Sequence, residues 1–213
     1  MEIRNRITQS FREYLLEKGH APASVHSFCK ELGISEREFF EHFASFDAVE
    51  GSLWSGMLEK VHQAISGGAE WEGFTARQRY LTFLYAFVEE SLDMRSLMLL
   101  RFPSRSVIAR PPALKSFEAK FKTFVSEIIG YGVEKGEIAG RGPIESLYPE
   151  VFYIHFRAVI DFLLRDESER FERTDAFIEK SVALAFNVIR TQALDSAFDL
   201  ARFLTPDFWG RNK

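Results

Sequence analysis

The side chains best suited to ligate a metal or move a proton near neutral pH are few in this 213-residue chain: five histidines, one cysteine and a scatter of carboxylates. Glu59-x-x-His62 has the spacing of one half of a carboxylate-bridged metal site in a helix bundle, which needs two such pairs and two further glutamates. The other candidate pair, Glu17-x-x-His20, straddles Gly19, a helix stop, and cannot present both groups from one helix. H-E-x-x-H and C-x-x-C are absent, so no metal is expected. Gly130-x-Gly132 and Gly140-x-Gly142 lack a third glycine and a preceding strand, and read as turn glycines rather than a dinucleotide loop. No nucleophile elbow or Walker sequence occurs. His155, within FYIHFRAVIDFLL, can serve as a base or as a satisfied core or interface histidine. The expectation is a protein without catalytic residues or cofactor.

The elements that would position these groups are helical. Apolar residues recur at helical spacing almost everywhere, and no segment shows sustained strand alternation. Hydrophobic residues make up 46% and charged residues 27%, the balance of a soluble globular chain, and 22 phenylalanines outnumber the 13 glycines, so the core should be rich in rings. No run approaches bilayer-spanning length, the opening MEIRNRITQS lacks a signal-peptide core, and the lone Cys29 suits a reducing compartment. A cytoplasmic protein with no membrane association is expected. The net charge of -4 supplies no global attraction to nucleic acid, so such binding would need a local patch.

Capping signals divide the first fifty residues into three short helices. Ile3, Ile7, Phe11, Tyr14 and Leu15 stripe the first, ended by Gly19. Ser24 can cap SVHSFCKEL, which Gly33 stops. Ser35 and Glu38 form a capping box opening SEREFFEHF, with Phe39 and Phe43 inward. The second and third helices are joined by LGIS, which is helix-turn-helix spacing. Residues Gly19 to Val49 resemble, without gaps, the DNA-binding unit of TetR-type transcriptional regulators. The matching positions are Ser24, Val25, Phe28, Leu32, Gly33, Ile34, Ser35, Phe39, Phe40, Phe43, Ser45, Asp47 and Val49, preceded by Ile7, Phe11 and Leu15.

The resemblance implies an all-α homodimer with a helix-turn-helix domain over 1–48 and a larger helical effector-binding and dimerisation domain over 49–213. It implies that the third helix enters the major groove of a double-stranded operator, with Ser24, Ser35, Glu36, Arg37, Phe40 and His42 as the DNA-contacting positions. Phe40 stands where the family usually has tyrosine, and Phe46 where it often has lysine. Over residues 1–50 six basic side chains meet nine acidic ones, and Glu36, Glu38 and Glu41 confront only Arg37 on the outward face of the third helix. Arg37 can read a guanine edge or pair with Glu41 four residues on.

Further helices are expected from about Ser45 to Ser66, from Thr75 through Leu92, from Phe117 to a glycine-rich stretch at Gly130, from about Glu145 to Arg165 and from Asp175 to Gln192, with a shorter piece near Leu194 to Leu204. The two long helices nearest the C-terminus are apolar on two sides, so Phe152, Phe156, Val159, Phe177, Leu184 and Val188 are expected against a symmetry mate. Met57, Phe83, Phe87, Phe121 and Phe124 are the candidate lining for a small hydrophobic effector, few charges are expected to point inward, and Arg101 or Arg157 can hold an acidic group. Two readings follow: a repressor released by that effector, or a helical dimer with a degenerate helix-turn-helix that binds a ligand or protein instead of DNA.

Overall fold

The computed structural model describes residues 2–102, 108–140 and 142–190. Among these residues regular structure is helical, with no strand. Helices α1 (Ile3–Lys18), α2 (Val25–Leu32) and α3 (Glu36–His42) form the N-terminal unit. Each boundary has a local cause. Gly19 and Gly33 adopt left-handed φ values of 77° and 69°, which end α1 and α2 without strain. Ser24 and Ser35 accept first-turn amides, and Glu38 returns a bond to the Ser35 amide to complete the capping box.

Helix α4 (Phe46–Ser66) runs without interruption from this unit into the body, so the division at 48 and 49 falls inside one helix. Its first residue and its middle belong to different cores. Phe46 stacks on Phe11 at 5.3 Å and meets Phe28 and Phe39 edge-on, completing a four-ring cluster of the N-terminal unit. Trp54, Met57, Leu58 and Val61, further along, are buried in the body.

The body consists of α5 (Ala76–Asp93), α6 (Arg95–Arg101), α7 (Lys115–Glu134), α8 (Tyr148–Arg165) and α9 (Glu172–Arg190). Phe83, Phe87, Phe117, Phe121 and Phe156 pack ring against ring between α5, α7 and α8, with centroids 4.8 to 6.2 Å apart. Gly130 and Gly132 are not turn residues, because α7 continues through both to Glu134. A Cβ on Gly132 would lie 2.7 Å from Ile138 and 2.8 Å from Ala76, so close packing against its neighbours requires the glycine. Gly136, with φ of 71°, makes the reversal instead.

Helix α8 begins at Tyr148, later than expected, because Pro149 suits a first helical turn and the preceding 142–147 forms a 3-10 segment. The start of α9 is held by Asp166, whose carboxylate accepts bonds from the amides and hydroxyls of both Ser168 and Thr174. The expected piece at 194–204 and the end of the last long helix at 192 lie outside the described residues.

The outward face of α8 differs from expectation. Phe152, Phe156 and Val159 are at most 2% exposed within the single chain, so they have no surface to offer a symmetry mate. Both apolar sides of α8 are buried within the chain: Phe152, Phe156 and Val159 pack inward onto the rings of α5 and α7, and Tyr153, Ile160 and Leu164 on the other side are at most 8% exposed. The outward stripe of α8 is Val151, Ile154, Ala158 and Phe162, continued on α9 by Phe177, Leu184 and Val188. Phe162 and Phe177 stack at 4.6 Å with their planes 6° apart, joining the two helices at this face.

Candidate nucleic-acid interface and ligand cavities

Helix α3 presents its outward face from a capped N-terminus. Ser24 and Ser35 sit at the starts of α2 and α3, exposed, with their hydroxyl oxygens already taken by the amides of Ser27 and Glu38. Glu38 is occupied by the cap, and the Ser35 amide and hydroxyl hold its carboxyl below the usual carboxylate range. Glu36 lies 2.8 Å from His26 Nδ1, a cross-helix pair between α2 and α3. Arg37 is 89% exposed, tied to Glu41 only by a 3.4 Å contact of Nε. Such an exposed pair contributes little, so Arg37 is available to another partner. Phe40 is half exposed with one edge against Phe39. The His42 carbonyl accepts a bond from Arg4, whose guanidinium also covers the Phe43 ring at 4.4 Å. Arg4 thus fastens the start of α1 to the end of α3.

The expected effector residues share one region, but their side chains fill it. Met57, Phe83, Phe87, Phe121 and Phe124 are all at most 4% exposed, and the four rings contact other rings of the core. Phe124 alone of the five lines either of the two open clefts on the α4–α7 side. The first, about 1030 Å3, lies between the N-terminal unit and the body, where α1, the start of α4 and the start of α7 meet. The second, about 300 Å3, continues along α4 and α7 past Leu58, His62 and Phe124. Glu59 and Lys120, an ion pair, border both clefts.

Charge is buried in the body more than the sequence pattern suggested. Glu50 of α4 is 2% exposed and accepts both Nε and Nη2 of Arg101 at the end of α6, at 3.2 and 2.7 Å. The acidic group that Arg101 holds is therefore the protein's own. Arg157 is 1% exposed and donates to the Ala109 carbonyl at 3.1 Å. Arg79 lies between Trp71 and Tyr131 and donates to the Phe74 carbonyl. Helical spacing gave no sign of these contacts, because each partner lies on another element or loop.

His155 is a satisfied histidine. Tyr80 donates to its Nδ1 at 2.9 Å, its Nε2 lies 2.8 Å from Ser181 Oγ, and the Ser181 hydroxyl donates to the Ile178 carbonyl at 3.3 Å. This assignment leaves every polar atom of the chain α5–α8–α9 paired with a neutral ring. Burial pushes the His155 pKa down to about 4, and burial pushes the Tyr80 hydroxyl well above its ordinary value. Among the described residues no cluster of three or more His, Cys, Asp or Glu side chains could hold a metal, and no helix is long and apolar enough to cross a membrane.

A model of the tetracyclin repressor-like C-terminal domain matches residues 79–204, more than half of the chain. Among solved structures, the chain is similar to one from Syntrophomonas wolfei assigned to the TetR family of transcriptional regulators, at 17% identity and a TM-score of 0.66, covering 85% of this chain and 94% of that one. A Shewanella sp. PV-4 protein assigned to the same family matches at 16% identity and a TM-score of 0.60, over 90% of this chain and all of that one. A protein of unknown function from Rhodococcus sp. RHA1 matches at 17% and 0.57, over 90% and 97%. At these identities the structures share the fold. No curated protein matches the sequence.

Proposed function

Because the chain belongs to the TetR family of transcriptional regulators, we propose that it is a homodimeric repressor that binds an operator through α3 and is released by a small apolar effector. One observation carries this reading: a single helix, α4, has its first residue in the core of the helix-turn-helix and its middle in the core of the body. A change in the packing of the body therefore reorients the reading unit through a rigid element rather than a linker. Effector binding would act by population shift, favouring a spacing of the two α3 helices that does not fit successive major grooves. Ser24, Ser35, Glu36, Arg37, Phe40 and His42 are proposed to face DNA, with Arg37 as the base-reading side chain. Val151, Ile154, Phe162, Phe177, Leu184 and Val188 are proposed to face the second subunit, where α8 and α9 of both would form a four-helix bundle.

A second reading, a helix-turn-helix that does not engage DNA, is favoured by the acidic outward surface of α3. Glu41 and Glu36 would both stand near phosphates, and Phe46 is committed to the core rather than to phosphate contact. A gel shift with the protein's own upstream DNA, titrated with salt, separates the two. Repression requires a saturable complex that weakens steeply with salt. If neither the wild type nor the Glu36→Lys, Glu41→Lys variant binds at low salt while both remain folded and dimeric, the repressor reading fails.

A further inference from the structure

We propose that the furrow between α4 and α7 is an effector site for a carboxylate with an apolar tail, a location distinct from the ring-filled core of the body. This rests on the regulator reading for its biological meaning, though its binding test does not. The two clefts adjoin through the Glu59–Lys120 pair and together form one track along both helices. The track exists because the facing side chains are small: Ser52, Ser55 and Gly56 on α4, Ser116, Ala119 and Thr123 on α7. Gly56 leaves open space, with no atom within 4 Å of where a Cβ would lie.

The two ends of the track differ in chemistry, which fixes the ligand and its direction. At one end Lys115 is exposed and makes no ion pair with any described residue, beside the mutually bonded hydroxyls of Ser55 and Ser116. The acids nearest that end are already paired, Glu59 with Lys120 and Glu118 with Arg110 and Lys122, whereas Asp47 is about 12 Å along α4 from Ser55. At the other end Leu58 and Phe124 form an apolar floor, with the His62 ring 4.9 Å from Phe124. Glu127, which lines this end alone, repels an anion, so a carboxylate is directed to Lys115 and the tail to Phe124. Nine residues of α7 separate Lys115 from Phe124, about 13 Å of helix, the length of an extended ten-carbon chain.

The wide end of the track is also bounded by Arg4 and Thr8 of α1. A ligand lying there touches the body and the reading unit at once. Its occupancy therefore favours one orientation of the unit, whereas a ligand within the ring core would have to act through intervening side chains.

Titration calorimetry of the full chain with decanoate, below its micellar concentration and without DNA, tests the site. Decanoate should bind saturably, more tightly than decylammonium or decanol. Lys115→Gln, at an exposed position, should weaken it about tenfold by removing a charge-assisted bond. Gly56→Leu, which introduces no backbone strain, should occupy the track and abolish binding. Circular dichroism checks that both variants are folded. No saturable binding, preference for decylammonium, or decanoate binding unchanged in both variants would each overturn the proposal. So would a loss of dimer mass in Gly56→Leu, which would assign the furrow to a second copy. DNA binding is measured separately on the ligand-free protein, so its failure would remove the repressor reading and leave the binding result standing.

Discussion

Replacing His155 tests whether a buried neutral ring makes the body sensitive to acid. The folded chain holds His155 neutral, with a pKa lowered by burial to about 4 from the ordinary 6.5. The unfolded chain takes up a proton near 6.5, so folding stability is complete above that pH and erodes as the pH falls toward about 4. Lowering the pKa from 6.5 to about 4 corresponds to about 3 kcal/mol in the acid limit, and to about 2 kcal/mol between pH 8 and pH 5. Partial exposure of the ring makes these upper values. The hydrogen bonds give the same sign. A second ring proton on Nδ1 would meet the Tyr80 hydroxyl, which would then have to turn toward the Phe152 carbonyl at 3.4 Å.

The assay is urea unfolding at fixed protein concentration from pH 8 to pH 5, for the wild type and His155→Gln. The variant should be less stable at pH 8, and its stability should fall by about 1 to 2 kcal/mol less than that of the wild type over this range. Differences between the curves cancel the other four histidines. Parallel curves, or an imidazole resonance of His155 titrating near 6.5, would refute the reasoning.

Three other outcomes follow from the packing. Light scattering should report about twice the 24.6 kDa chain mass, and Leu184→Glu, at a position 64% exposed within the subunit, should give a folded monomer. Arg101→Met should destabilise by roughly 3 kcal/mol in denaturant because it strands the buried Glu50 carboxylate, while Glu50→Leu with Arg101→Met should recover much of that loss. Asp166→Ala should lower the melting temperature by several degrees at neutral pH. Burial alone would raise the Asp166 pKa, but the bonds from Thr174 and Ser168 outweigh it and hold the carboxyl far below its ordinary range. Its contribution is thus present above about pH 4 and lost as the pH falls through the folded value, so the gap between wild type and variant should narrow in acid.

Helix boundaries with a local cause were legible in the sequence. Ser24, Gly33, and Ser35 with Glu38 form the caps that their spacing predicts, since a capping bond spans only a few residues. Gly130 and Gly132 read as turn residues because glycine is a poor helix former, whereas the structure keeps them helical where Ile138 and Ala76 press against Gly132. The outward face of α8 was misread for a related reason. Periodicity shows that two sides are apolar but not that one subunit's core takes up both, as it does here with Phe152, Phe156 and Val159 on one side and Tyr153, Ile160 and Leu164 on the other.

Phe46 joins the legible and illegible parts of the site. In sequence it is an apolar residue at a position where a phosphate-gripping cation would be useful, which argues against DNA contact there. In the structure it stacks on Phe11 and touches Phe28 and Phe39, so the start of α4 is bound firmly to all three helices of the reading unit. Trp54, two turns on, meets Phe102 edge-on at 5.6 Å, and Glu50 between them grips Arg101. The first three turns of α4 therefore bind the reading unit to α6 through aromatic and ionic contacts with little slack. If the unit binds DNA as proposed, phosphate attraction has to come from residues other than Phe46, whose part is to make a firm joint between that unit and α4.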